Sequence, residues 1–421
     1  MSDLSTTRRD FLKSAAAAAT AVTLSARSYG RVIGANDRIN VGVIGCGSRG
    51  RGDLMTGLHR WDQELNAEIV AVCDVWRQRR EEAAAMARDW YGREPRQCVS
   101  YREVMDMSDV DAVMIASPDH LHTLHLEAAA RAGKHAYCEK PLAKDMEGLR
   151  RAVDAVRESG VVVQVGTQLR SLPTMTGARE VVRSGVLGTI ARVEQCRNDP
   201  RPYWYSRLAD AKEEDVDWKE FLNGLPGRPF RPDVFTGWYG YREFSDGAVP
   251  GFGSHYIDLV HYLTGAKIPE SAVCLGGVYT WKDEHEFTCP DCVQALWTYP
   301  EGFLVAYSTN FGNGSGDTFR LFGNNAMMNL DEYFGSADKL YVTQEGAGKP
   351  DGRVKDRMPI PEVPMPDHME NWLRCVRENK TPHASIDDGY AHAVAVIMAM
   401  MAYDAGQRMR YNPATREVTP G

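Results

Sequence analysis

Three glycines and an acid carry the first chemical signal in this chain. Gly45, Gly47 and Gly50 form a G-x-G-x-x-G turn, Ser48 and Arg49 fill its open positions, and Asp74 closes the next apolar run. Gly45 permits a tight turn, Gly47 a close approach of backbone to a pyrophosphate, and Gly50 close packing of the following helix on the preceding strand. The start of that helix offers free N–H groups and a positive dipole end to phosphate. Asp74, roughly 20 residues beyond the turn, is placed to accept from a ribose 2′-hydroxyl. That favours NAD over NADP, because a 2′-phosphate would meet a carboxylate.

Two further residues have types suited to proton transfer. Lys140 lies between Glu139 and Pro141 at a strand end. A lysine pointing into a partly desolvated cleft has a lowered pKa and can give or take a proton; otherwise it is a solvated surface lysine. His255 precedes Asp258 by one helical turn, a spacing that lets a carboxylate orient the ring. The alternative is a structural histidine in a domain interface.

These residues need a frame, and the pattern around them supplies one. Apolar runs at 41–44, 68–73, 110–116, 134–138 and 161–166 read as buried parallel strands. Helical spacing at 81–89, 124–132 and 146–159 separates them, with Gly133 and Gly160 as stops. The fold class expected is α/β, a Rossmann doubly wound parallel sheet. Ligands of such sheets bind at the carboxyl ends of the strands, so Ser117, Pro118, His120, His122, Glu139, Lys140, Gln168 and Arg170 fall along one rim.

Composition agrees with a globular enzyme of about two or three domains, since 43% of the 421 residues are hydrophobic and 25% charged. A net charge of −8 supplies no basic field for nucleic acid or an anionic membrane. No segment has the apolar length for stable membrane insertion. The start, Thr7-Arg8-Arg9-Asp10-Phe11-Leu12-Lys13 with a mild apolar run over 14–24, reads as a Tat export signal within residues 1–30, implying a periplasmic or otherwise extracytoplasmic site. Such signals carry folded cargo, so the cofactor is expected to be loaded before export and held tightly. The stretch 345–366, rich in Pro and Gly, reads as a long loop.

The glycine turn together with Ser117-Pro118-Asp119-His120-Leu121-His122, Gly133-Lys134-His135, Glu139-Lys140-Pro141-Leu142 and Gly166-Thr167-Gln168-Leu169-Arg170 resembles the Gfo/Idh/MocA oxidoreductases. The segments around Asp217-Trp218 and from Gly247 to Asp258 are similar to exported members. The resemblance implies an NAD-binding Rossmann domain over 38–162. It also implies a C-terminal α/β domain over 163–421 with a large, mostly antiparallel open sheet that often joins subunits, here a homo-oligomer. The β-like segments over 190–198 and 271–330 suit that sheet, and 369–377 and 390–408 suit closing helices. The resemblance also gives Lys140 and His255 the catalytic roles and implies a carbohydrate, polyol or glycoside substrate.

One departure stands out. Family members carry an acid four residues before the histidine, and this chain has Gly251 there. The lysine–acid–histidine set is incomplete, and the missing side chain is expected to leave space for a substrate larger than a free sugar. Net oxidation, redox-neutral glycoside cleavage with transiently reduced NAD, and a non-catalytic cofactor binder are therefore all carried forward, with intact Lys140 and His255 arguing against the last. Arg170 and Asp258 are candidate substrate contacts. Tyr203, Trp204, Tyr205, Trp238, Tyr239 and Tyr241 form aromatic clusters that either stack on sugar rings or pack a core. His120 and His122 either touch ligand or cap a helix. Cys289 and Cys292 have metal-ligand spacing without a second pair, which leaves a disulfide or plain thiols as readings and no metal expected.

Overall fold

Short apolar runs punctuated by glycine build the first layer. The computed structural model describes residues 37–331, 340–344 and 357–421. Ile39–Ile44 (β1), Ala67–Cys73 (β2), Arg96–Cys98 (β3), Ala112–Ile115 (β4), His135–Cys138 (β5) and Val163–Val165 (β6) form a parallel sheet of order β3-β2-β1-β4-β5-β6. Ile44 sits beside Cys73 and Ile115, and Ile115 beside Cys138, so the carboxyl ends of four strands align along one edge. β4 is buried throughout and β1 nearly so. Burial on both faces is why they read as continuous apolar runs rather than alternating ones.

Helices Arg77–Tyr91, His122–Arg131 and Met146–Ser159 connect the strands. The first extends beyond 81–89 at both ends, through a polar, arginine-rich first turn. Met146–Ser159 starts where the Asp145 carboxylate accepts from the Gly148 N–H and stops at Gly160, in the left-handed region at φ +67°.

The second layer is a ten-stranded sheet among the described residues. Ile190–Asn198 (β7), Ser271–Gly277 (β8), Cys292–Thr298 (β9), Leu304–Asn310 (β10), Thr318–Gly323 (β11), Ala326–Asn329 (β12), Tyr341–Gln344 (β13), Met358–Pro359 (β14), Met409–Asn412 (β15) and Glu417–Pro420 (β16) run in the order β14-β13-β12-β11-β7-β10-β9-β8-β15-β16. β7 and β10 pair parallel and the other pairings are antiparallel. Burial alternates along β9 and β10, so one face is covered and the other open. Helices Pro173–Arg183, Ser254–Thr264 and Ile386–Ala405 pack together on the covered side, and the Trp297 indole donates to the Ala395 carbonyl at 2.8 Å.

The Rossmann sheet and the mostly antiparallel second sheet are thus both present. β6 at Val163–Val165 belongs to the first sheet, so that sheet ends just past residue 162. The loop expected over 345–366 contains β14, which pairs with β13; its first part lies outside the described residues. The export stretch over 1–30 also lies outside them. No helix among the described residues is long and apolar enough to cross a membrane.

Candidate active site

The glycine turn is closed at two of its three positions. Gly45 has φ +90°. A Cβ there would meet the Ala116 main chain at 2.5 Å, and one at Gly50 would meet the Gly45 carbonyl oxygen at 2.0 Å. Gly47 has nothing within 4 Å of its Cβ position. The turn is therefore pressed against β4 on one side and open on the other, which is the cradle a pyrophosphate needs.

Asp74 follows β2. Its Oδ2 accepts from the Cys46 N–H at 2.6 Å and its Oδ1 from the Trp76 N–H at 2.8 Å, which ties the carboxylate to the turn. Burial pushes its pKa up against these donors. A cavity of about 350 Å³ lies over Gly45, Gly47, Ser48, Arg49, Asp74 and Pro118. Its far wall comes from the stretch after β7, including Arg207, Trp238 and Tyr239. The residues present fit a dinucleotide.

A second cavity, of about 290 Å³, shares Ser48, Arg49, Ala116, Arg207 and Tyr239 with the first, so the two adjoin along the glycine turn. Ser117, Asp119, His122, Glu139, Lys140, Tyr203, Gly251 and His255 line it. Lys140 Nζ donates to the Gly251 carbonyl at 2.8 Å, and burial lowers its pKa, partly offset by Glu139. The His255 Nδ1 is buried without a hydrogen-bond partner, and burial followed by Lys140 pushes its pKa far down. Burial thus disfavours the charged form of both the imidazole and the lysine, and two such groups on one cavity are suited to passing a proton to and from a substrate oxygen. Arg49 sits 2.8 Å from Glu139 and 3.2 Å from Asp53, which fixes it at the junction of the cavities. Gln168 stands behind, donating to Glu139 at 2.9 Å and to the Tyr137 hydroxyl at 2.6 Å.

Several expected contacts go elsewhere. His122 lines the cavity, but its ring nitrogens lie 2.7 Å from the Pro141 carbonyl and 2.8 Å from the Ser117 carbonyl, tying two rim segments together. His120 faces away: its Nε2 pairs with the Phe221 carbonyl at 2.9 Å between Phe221 and Phe244, and burial lowers its pKa to about 4. Arg170 is not a hydroxyl donor in the cleft. It is buried, with Nε 2.8 Å and Nη2 2.6 Å from Asp258 and Nη1 3.1 Å from Asp388. Asp258 therefore orients Arg170 rather than His255; against its burial, Arg170 holds it well below the usual carboxylate range.

The aromatic clusters divide. Trp238 and Tyr239 stack at 3.6 Å in the cleft wall, and Tyr203 lines the second cavity. Trp204, Tyr205 and Tyr241 belong to a buried cluster with Phe221, Phe235 and Phe287, and the Tyr241 hydroxyl donates to the His285 carbonyl at 2.7 Å. In the Cys289–Cys292 segment both thiols are free. Asp291 between them accepts from the N–H groups of Tyr279, Thr280 and Trp281 at 2.9, 2.8 and 2.8 Å, so the motif builds a turn. Arg207, Arg79 and Trp76 line the cleft without having been singled out. Arg207 carries no local motif and reaches the site only through the fold, whereas Asp119 stands inside a string already assigned to the rim.

Comparison with known proteins agrees with this construction. Residues 39–167 match the model of an oxidoreductase family with an NAD-binding Rossmann fold, and residues 226–410 its C-terminal alpha/beta domain. A levoglucosan dehydrogenase of Pseudarthrobacter phenanthrenivorans is 29% identical over 246 residues, 58% of this chain and 55% of that protein. A 2,7-anhydro-N-acetylneuraminate hydratase of Escherichia coli is 28% identical over 242 residues, 57% of this chain and 53% of that one. The chain thus spans about half the length of these curated relatives. The solved structure of a levoglucosan dehydrogenase with NADH and levoglucosan superposes with a TM-score of 0.66 at 20% identity, over 89% of this chain and 99% of that one, which shows the shared fold. With both domain models matched in order and the glycine cradle opening onto Lys140 and His255, the chain belongs to the Gfo/Idh/MocA oxidoreductase family.

Proposed function

We propose that the protein oxidises or reduces a sugar, polyol or glycoside by hydride transfer with tightly held NAD. The observation that carries this reading is that the dinucleotide cleft adjoins a cavity lined by Lys140 and His255. Bound NAD supplies the hydride acceptor. Lys140 and His255 handle the hydroxyl proton, and Trp238 and Tyr239 offer an apolar wall. The relatives' carbohydrate substrates support the substrate class. The stretch between β7 and Ser254–Thr264 supports slow cofactor release, because it lies across the cleft. Asp217 N–H donates to the Val75 carbonyl at 2.9 Å, Phe235 packs edge-on to Trp76 at 5.5 Å, and Glu220 pairs with Arg102 at 3.0 Å.

The twin-arginine stretch supports export, for which a preloaded cofactor is the physical requirement. The open sheet face, with Leu275 74% and Leu296 39% exposed, supports pairing with a second copy. Light scattering on wild type and Leu275→Lys tests that pairing.

The central test is the protein's own cofactor. Supernatant from denatured, desalted protein should contain near-stoichiometric NAD. Lys140→Met and His255→Asn should keep it while losing turnover on a panel of sugars and glycosides. Empty protein with millimolar affinity, or either variant at wild-type rate, overturns the assignment. A second reading, cleavage or hydration with no net redox change, is favoured by the hydratase relative and the departure at Gly251. Aglycone release without accumulating NADH would select it.

A further inference from the structure

The acid missing at Gly251 leaves no vacancy. A Cβ built on Gly251 would lie 2.5 Å from the Tyr203 hydroxyl oxygen and 3.5 Å from its Cζ. The phenol occupies the room that an acidic side chain would need, which corrects the expectation of extra substrate space. Tyr203 arrives from the far wall, in the turn Tyr203–Arg207. Trp204, Tyr239, Phe252 and Phe311 meet its ring edge-on at 5.3, 5.3, 5.2 and 5.8 Å, so its position is fixed by packing.

The hydroxyl itself is buried and makes no hydrogen bond, as is the His255 Nδ1. A buried polar atom without a partner is costly and uncommon. Here both unpartnered atoms belong to residues lining one cavity, together with Lys140, whose ammonium bonds to the Gly251 carbonyl. A tyrosine serving only the core would be expected to end on a carbonyl, as Tyr241 does on His285.

We propose that Tyr203 replaces the absent acid as a catalytic residue, its phenol touching the oxygen of the reacting carbon and carrying that oxygen's proton. This rests on the oxidoreductase reading. In the reducing direction the carbonyl carbon takes the hydride. The Tyr203 O–H bond breaks, its proton goes to the carbonyl oxygen, and the phenolate regains a proton from the Lys140 ammonium. Oxidation runs the same transfers backwards. Burial and then Asp119 keep the phenol protonated, which suits a donor.

Two measurements decide it. The first uses levoglucosan, myo-inositol and methyl β-D-glucopyranoside as probes. Tyr203→Phe keeps the ring packing and the bound NAD; kcat should fall about 100-fold with KM little changed. Adding Gly251→Asp to Tyr203→Ala should regain at least ~10-fold, with a new acidic limb in the carboxylate range of the pH profile. Unchanged kcat in Tyr203→Phe, or no recovery in the double variant, overturns the proposal. The second needs no substrate. Gly251→Ala should lower Tm in wild type and lose most of that effect in Tyr203→Phe, where the obstructing oxygen is gone. Equal losses in both backgrounds overturn the placement. Inertness of wild type toward all three probes overturns the oxidoreductase reading and the proton role with it, while the thermal pair separately judges the phenol's position.

Discussion

Arg207 crosses the cleft and donates to the Ser48 hydroxyl at 2.6 Å, joining a residue after β7 to the glycine turn. This clasp spans the cavity over the glycine turn. Removing it with Arg207→Ala should speed NAD loss on dialysis by roughly 2- to 10-fold, the net worth of one ordinary hydrogen bond. Unchanged retention would show that the remaining contacts across the cleft, Phe235 on Trp76, Asp217 to Val75 and Glu220 to Arg102, hold it shut without the clasp.

Asp74→Ala should weaken NAD binding by about 1–3 kcal/mol and relax discrimination against NADP. Arg79 lines the same cavity and would then meet a 2′-phosphate without a competing carboxylate. Titration with both cofactors checks this. Parallel losses for the two would place Asp74 in turn support, through Cys46 and Trp76, and not at the ribose.

Arg170→Ala should destabilise the fold by about 3–5 kcal/mol, because Asp258 would be left buried and charged without its main partner. Urea unfolding measures it. A variant that stays near wild-type stability but binds substrate poorly would return Arg170 to the cleft.

Acid should unfold the protein well above the carboxylate range. Burial holds His125 and His261 at about 3 and His368 at about 4, against an ordinary 6.5. Below 6.5 the unfolded chain takes up protons that the folded chain refuses. Stability is therefore full above 6.5 and falls as pH drops from there toward 4, by up to about 1.4 kcal/mol per pH unit for each ring. Thermal melts across pH 4–7 test the slope, and His261→Gln should flatten it.

The cofactor half was legible because its signals are local. Gly45, Gly47, Gly50 and Asp74 need particular backbone shapes, and the strands of a doubly wound sheet are apolar throughout. That Lys140 and His255 share one cavity was legible from the family pattern. The direction of Asp258 was not, because helical spacing places it beside His255 on one helix while Arg170, 88 positions earlier, claims its charge. In sequence Tyr203 is one of a cluster of aromatic rings that suits a sugar or a core equally, and only the fold brings its oxygen to Gly251. Long-range pairings of this kind have no period to betray them.

Helix His368–Glu378 buries Met369, Trp372 and Leu373 among Val41 and Tyr137 of the first sheet and Leu58 of the helix Thr56–His59, and Arg377 donates to the Leu65 carbonyl at 2.7 Å. The next helix, Ile386–Ala405, packs under the second sheet. The chain thus completes the core of its first sheet with residues that lie more than 200 positions further on. Severed near residue 165, the N-terminal half would expose the socket of Trp372, so the two halves are halves of one cooperative unit and not separable modules.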